Sequence, residues 1–328
     1  MFPEIGIADF SIGKFEPAVH HRQWLHLDCG SGHAARLPAL ATRGMEPGRT
    51  LIVIAGVHGN EYEGMEAIRR VWEALDPARL NGSVCAVIIG NPFSYTKRSR
   101  TTPVEVDGMN LARVFPGDAE GSPTERLAAG LLDLVERNIG PNDLFVDLHS
   151  GTAEVAFATM VGFRDIQNAA RSKSEEAARH FGLPLLWAIP DSVGPFNAET
   201  ARRGIPTVGT ETTGRAGCRE RDVSAYERGL WNLLAYLEIL PERSKPVRES
   251  QPVRTTVDVF SPDRGFARIH KHLGDRVDRR DVLATIVDPF GNEVAEVESP
   301  VSGTVWAAVE TPLVNSNDLM FMLALEPS

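Results

Sequence analysis

The sequence predicts an α/β fold, a mainly parallel sheet flanked by helices, followed by a small all-β domain. Three observations carry this. Short strand-like runs at residues 50–59, 83–90, 144–151 and 205–211 alternate with segments of helical periodicity. The first is a continuous apolar run ending in glycines, which suits a strand buried on both faces of a sheet; 83–90 reads as another buried strand and 144–151 as a third that ends at a histidine. After Pro241 the helical periodicity disappears, and short strand patterns joined by Gly, Asp and Asn turns replace it.

Taken in order, residues 1–45 read as strands and turns. The segment 18–28 alternates imperfectly and carries His20, His21 and His26, with Asp28 as the lone carboxylate. Polar faces of an early strand explain these histidines better than a metal site, since only one carboxylate stands among them. TLIVIAGVHG (50–59) is the first buried strand. The segment 61–75 then sets Met65, Ile68, Trp72 and Leu75 at helical steps. Residues 83–90 form the next strand, 123–138 a helix, and 144–151 a third strand ending at a histidine. Residues 175–182 end a helix on the capping glycine Gly182. Residues 205–211 give a fourth strand and 222–239 another helix, and the alternation implies a largely parallel sheet. Residues 242–254 are charged, proline-bearing and aperiodic, as a linker is. The chain therefore divides into a domain over 1–245 and a small all-β domain over 246–328.

A length of 328 residues accommodates two cores. The formal net charge of -10 leaves no basic field for nucleic acid or anionic lipid, so neither is expected as a partner. Cys29, Cys85 and Cys218 are scattered and odd in number, which predicts free buried thiols and a reducing compartment. No signal peptide and no membrane-spanning apolar run is visible, so the expected location is the cytoplasm.

Three of the strands end in residues that bind or serve a metal. His58 and Glu61 follow the first strand three positions apart, and a strand-to-helix turn there would aim both at one point above the sheet's carboxyl edge. His149 ends the third strand. Two imidazoles and a carboxylate are the ligand chemistry of catalytic zinc, although a lone HxxE pair or a strand-end histidine is common without a metal. Glu211 ends the fourth strand, where it is either a turn residue or the group that takes a proton from attacking water and returns it to a leaving amine. Between the second strand and the next helix, residues 91–117 form a long polar loop with Lys97, Arg98, Arg100 and Arg113. Fixed arginines there would polarise a carbonyl or clamp a carboxylate; otherwise the loop is a solvated basic segment.

The motifs GVHGNEYEG (56–64), DGMNLARVFPG (107–117), DLHSG (147–151) and GTETTG (209–214) resemble, in that order, the succinylglutamate desuccinylase/aspartoacylase family. The resemblance implies a zinc carboxypeptidase-like fold and hydrolysis of the amide bond of a small N-acylated substrate. It implies His58, Glu61 and His149 as ligands of one Zn2+ per chain and Glu211 as general base and acid. Arg100 corresponds to the oxyanion-stabilising arginine. Arg113, with Asn110 in the same motif, corresponds to substrate binding. Where the family has asparagine before that arginine, this chain has Ala112, which offers no side-chain donor. The loop RSRTTPVEVDG (98–108) is similar to the branch of N-acetyl-diaminobutyrate deacetylases, so the expected substrate is an N-acyl amino acid or N-acyl diamine. Asp147, two residues before His149, is either a partner of that ligand or a structural residue. A peptide-cleaving metallocarboxypeptidase and a non-catalytic binding protein on the same fold remain the alternatives. Homo-oligomerisation stays open.

The segment ATIVDPFGNEVAEVESPVSGTV (284–305) resembles the turn-and-strand pattern of biotinyl and lipoyl carriers. No lysine follows Lys271, so a swinging-arm carrier is not expected. The β domain is expected to cap the site or support assembly.

Overall fold

Apolar strand runs and amphipathic helices sort into layers because each must bury one face. The computed structural model describes residues 2–241 and 252–325. The larger, N-terminal half opens with β1 (Glu4–Gly6), β2 (Val19–Gly30), β3 (His33–Arg43), β4 (Glu46–Ala55), α1 (Glu63–Ala74) and β5 (Asn81–Val87). It continues with α2 (Pro92–Lys97), α3 (Pro123–Asn138), β6 (Leu144–Leu148), β7 (Val155–Phe157), β8 (Met160–Arg164) and α4 (Arg171–Phe181). It closes with β9 (Leu185–Ile189), α5 (Phe196–Arg202), β10 (Thr207–Glu211) and α6 (Glu220–Tyr236). Ten strands form one sheet in the order β1-β2-β3-β5-β4-β6-β10-β8-β9-β11, where β11 is Val253–Arg254.

The central run β5-β4-β6-β10 is parallel, as the buried apolar segments require, while β2–β3, β3–β5 and β10–β8 pair antiparallel. One core, with Leu51, Val53, Met65 and Trp72, packs α1, α4 and α6 on one face. A second, with Ile52, Ile54, Leu127 and Phe145, packs α3 on the other. The expected polar strand 18–28 is β2, and its His20 bonds Thr42 Oγ1 at 2.8 Å and the Leu75 carbonyl at 2.9 Å rather than joining a metal cluster.

The remaining strands form the small all-β part: β12 (Thr256–Phe260), β13 (Gly265–Ile269), β14 (Arg276–Val277), β15 (Val282–Val287), β16 (Glu293–Glu298), β17 (Gly303–Val309), β18 (Leu313–Val314) and β19 (Leu319–Leu325). They make two sheets, β12-β19-β17-β14 and β16-β15-β13-β18, over a core containing Leu283, Ile286 and Phe321. The expected boundary at 245/246, and all but residues 252–254 of the expected linker, lie outside the described residues. Two strand pairings join the halves: β7 pairs β17, and β11 extends the large sheet beside β9. Cys29 and Cys85 are buried free thiols; Cys218 is free but exposed, against the expectation of burial.

Candidate active site at the sheet's carboxyl edge

β4, β6 and β10 are parallel neighbours, so their carboxyl ends lie side by side. That adjacency brings the sequence-distant motifs together. After β4 the chain turns through Gly56 and Gly59 into α1. A Cβ on Gly59 would lie 2.1 Å from the Ser94 carbonyl carbon, so only glycine lets this turn approach α2. The turn carries His58 and Glu61, both almost fully buried. The loops after β6 and β10 pack backbone to backbone: Gly151 N donates to the Thr212 carbonyl at 3.0 Å, and a Cβ on Gly214 would meet the Gly151 carbonyl oxygen at 1.9 Å.

His58, Glu61 and His149 converge, with one ligand atom from each lying within 4.8 Å of the others. His58 Nδ1 stands 2.6 Å from Glu61 Oε1, and His149 Nδ1 stands 2.9 Å from Glu61 Oε2. The far nitrogens are engaged from behind. His58 Nε2 is 3.1 Å from Asn110 Oδ1, and His149 Nε2 is 3.2 Å from Asp147 Oδ1. A proton on each Nε2 would face these acceptors, although Asp147 Oδ1 forms no aligned hydrogen bond, and would leave both Nδ1 lone pairs for an ion. This outer pattern is characteristic of metal-ligating histidines, and the N2O donor set fits a divalent ion such as zinc.

The support extends further. Asn197 Nδ2 donates to Asp147 Oδ2 at 2.9 Å, and Arg164 Nε donates to Asn197 Oδ1 at 2.7 Å. Buried Glu63 accepts from Ser150 Oγ at 2.6 Å and from Cys218 N at 3.1 Å, tying α1 to two site loops. Arg164 and Asn197 lie outside the motifs and only their contacts identify them, while Glu63 stands inside the motif 56–64 but was not singled out there.

A cavity of about 570 Å³ opens beside the cluster, lined in part by His58, His149, Glu211, Arg100 and Arg113. Glu211 Oε2 is buried and has no hydrogen-bond partner. Burial, reinforced by the Glu61 charge, pushes this carboxyl up to about 8. Arg100 Nη1 lies 3.1 Å from Glu61 Oε1. Arg113, on the 3-10 turn Leu111–Arg113, donates from Nη1 to the Ala112 carbonyl at 2.9 Å and lines the cavity. Lys97, by contrast, pairs with Glu105 at 2.8 Å on the exterior, and Arg98 is not on the cavity wall. Asn110 does not line the cavity; its Oδ1 accepts from Ala112 N at 3.0 Å as well as facing His58. The loop is ordered by a buried polar chain in which Asn91 donates to Thr102 Oγ1, the Thr102 hydroxyl donates to Thr124 Oγ1, and the Thr124 hydroxyl donates to Asp107.

The roof of the cavity comes from the β domain: Thr256, Asp258 and Phe260 of β12, with Leu319 and Met322 of β19. No helix among the described residues is long and apolar enough to cross a membrane.

Residues 47–237 match the succinylglutamate desuccinylase/aspartoacylase catalytic domain. The chain is 29% identical over 287 residues to the N-alpha-acetyl-L-2,4-diaminobutyric acid deacetylase of Halomonas elongata, covering 84% of this chain and 82% of that protein. Its fold is that of the product-bound ectoine utilization protein EutE from Ruegeria pomeroyi, with a TM-score of 0.82, 24% identity, and 95% and 98% of the two chains covered. It also matches a succinylglutamate desuccinylase/aspartoacylase from Rhodobacter sphaeroides, with a TM-score of 0.83, 22% identity, and 96% and 97% covered. The four ordered motifs, the shared fold and the matched catalytic domain together place this chain in the succinylglutamate desuccinylase/aspartoacylase family.

Proposed function

We propose that this chain is a zinc-dependent deacylase that hydrolyses the amide bond of a small N-acyl amino acid or N-acyl diamine in the cytoplasm. The observation that carries this reading is the pairing of two features in one cavity. Three convergent metal-binding side chains stand beside a buried carboxylate oxygen with no partner of its own. A protein that only binds ligands has no use for that oxygen, which costs stability to bury. The 29% identity to a diaminobutyric acid deacetylase supports the substrate class. A roof built from β12 and β19 favours a small substrate over an extended peptide.

His58, Glu61 and His149 would hold the ion. When bound, zinc supplies Lewis acidity for the scissile carbonyl and a more acidic water. Glu211 takes the proton from the attacking water at Oε2 and returns it to the departing nitrogen, so one carboxylate is base and then acid. Arg100 donates to the carbonyl oxygen as negative charge develops there. Arg113 holds the substrate carboxylate, alone where the family pattern has an asparagine beside it and this chain has Ala112. Asn110 is assigned to His58 rather than to substrate, because its carbonyl oxygen is already engaged. The products are a carboxylic acid and a free amine.

Elemental analysis of the purified chain tests the ligand assignment. One zinc per chain is expected, falling to near zero in His149→Ala, with turnover abolished by a chelator and restored by zinc. Full metal occupancy in His149→Ala would overturn the ligand set.

A further inference from the structure

β6 and β10 run side by side, and the ladder between them ends at the Leu148–Thr210 pair. His149 and Glu211 each stand one residue beyond that pair, where the ladder no longer fixes one against the other. Glu211 Oε2 has no hydrogen-bond partner, so nothing at the tip of the side chain holds it. Its aim comes from the backbone beneath. Thr210 and Thr212 flank Glu211, and Thr210 points to the opposite side of the strand. That side faces α6, whose Tyr226 is fully buried in the same core as Val208 of β10. The Tyr226 hydroxyl donates to the His149 carbonyl oxygen. The Thr210 and Thr212 hydroxyls are buried without another partner, and both interact with the same Tyr226 oxygen. A phenol donates one hydrogen bond and accepts others, so a single oxygen serves all three groups. A second buried side chain spans the same two loops: Glu63 accepts from Ser150 Oγ and from Cys218 N.

We propose that Tyr226 is a positioning residue, which sets Glu211 at its working distance from the metal-binding histidine by joining the two strand ends from behind. The proposal rests on the deacylase reading for the task of Glu211. Tyr226 does not line the cavity, so it acts through the backbone and touches no substrate. A proton-transferring carboxylate must stand within hydrogen-bond reach of its water, and a displacement of about 1 Å costs about a hundredfold in rate. Core packing alone does not call for the hydroxyl. Phenylalanine would fill the same space and keep the edge-on contact with Phe181, at 6.2 Å between ring centres, without the cost of burying an O–H. The metal-binding side chains have other supports. His58 and Glu61 lie on the turn after β4, and the His149 ring is backed by Asp147. Loss of the Tyr226 hydroxyl therefore disturbs the spacing between base and ion while leaving the donor set in place.

The test is Tyr226→Phe in the zinc-loaded full chain, alone and combined with Glu211→Gln. Chelator competition gives zinc affinity, steady-state kinetics give kcat and KM, and mass spectrometry gives the exchange of backbone amides. In Tyr226→Phe, kcat should fall about 10- to 100-fold, with KM and zinc affinity each within about threefold of the unmodified chain. In the Glu211→Gln background the same loss of a hydroxyl should change kcat by less than about threefold, because the group that it aims is already gone. Amide exchange should quicken about tenfold over residues 149–151 and 211–214 and stay unchanged in the strand interiors. An unchanged kcat overturns the proposal. So does the same fractional loss of kcat with and without Glu211, the signature of a residue that only stabilises the fold. Unchanged exchange at both strand ends overturns it whatever the kinetics. Exchange is read without turnover, so a chain that cleaves no acylated amine yet loosens at these two ends in Tyr226→Phe would sink the deacylase reading and leave the cross-link standing.

Discussion

Each residue of the candidate centre is held by something behind it. The clearest case is His149, whose ring lies between Glu61 in front and Asp147 behind, with Asn197 and Arg164 continuing the chain inward. In Asp147→Asn the amide oxygen would accept from Asn197, leaving its NH2 opposed to the His149 Nε2 proton. That conflict favours the tautomer in which Nδ1 is protonated and cannot ligate. Zinc affinity measured by chelator competition should fall about 10- to 100-fold with the fold retained; unchanged affinity would remove Asp147 from its role. The sequence exposed His58, Glu61 and His149 because they stand within motifs, and it offered Asp147 by its two-residue spacing on a strand. Asn197 and Arg164 were not legible. They lie on α5 and β8, and only tertiary packing makes either a neighbour of Asp147.

At the scale of elements, the strand ends fix the site and glycines fix the strand ends. Gly214, at φ +62°, has its pro-Cβ position 1.9 Å from the Gly151 carbonyl oxygen, whereas Gly204, at φ +77°, has nothing within 4 Å. Alanine at both positions carries the left-handed backbone cost, roughly 1–2 kcal/mol, but only Gly214→Ala adds the collision. Gly214→Ala should therefore lose about 3 kcal/mol or more in denaturant unfolding, and Gly204→Ala visibly less. Equal losses would mean that the two site loops are not locked by this contact. Helix α3 was readable to the residue, since Ser122 and Glu125 form a capping box and proline opens the first turn. The ending of α4 on Gly182, at φ +83°, was equally readable. By contrast β7, β8, β9 and α5 were missed. They have three to seven residues each, too few to express a period, and β8 carries a glycine and a buried arginine that interrupt its apolar pattern.

The whole molecule is one catalytic sheet with a β module stitched to its far end. β7 is contributed by the catalytic half but belongs to the module's sheet, and β11 does the reverse. Trp306, Ala307 and Met322 of the module pack with Met160 from β8, so the roof over the cavity is part of a continuous core. Sequence texture revealed that a second, all-β unit follows Pro241. It did not reveal the exchange of strands, because pairing partners separated by 67 residues for β11 and β9, and by 150 to 154 for β7 and β17, leave no local pattern.

The most direct test is the release of free amine from a panel of N-acyl amino acids and N-acyl diamines by the zinc-loaded chain, beside Glu211→Gln. The expected result is selective cleavage of one class, reduced about 10²- to 10⁴-fold in Glu211→Gln, while both proteins hold the same amount of zinc. Cleavage by Glu211→Gln at a near-normal rate, or no cleavage of any acylated amine by the zinc-loaded chain, would contradict it.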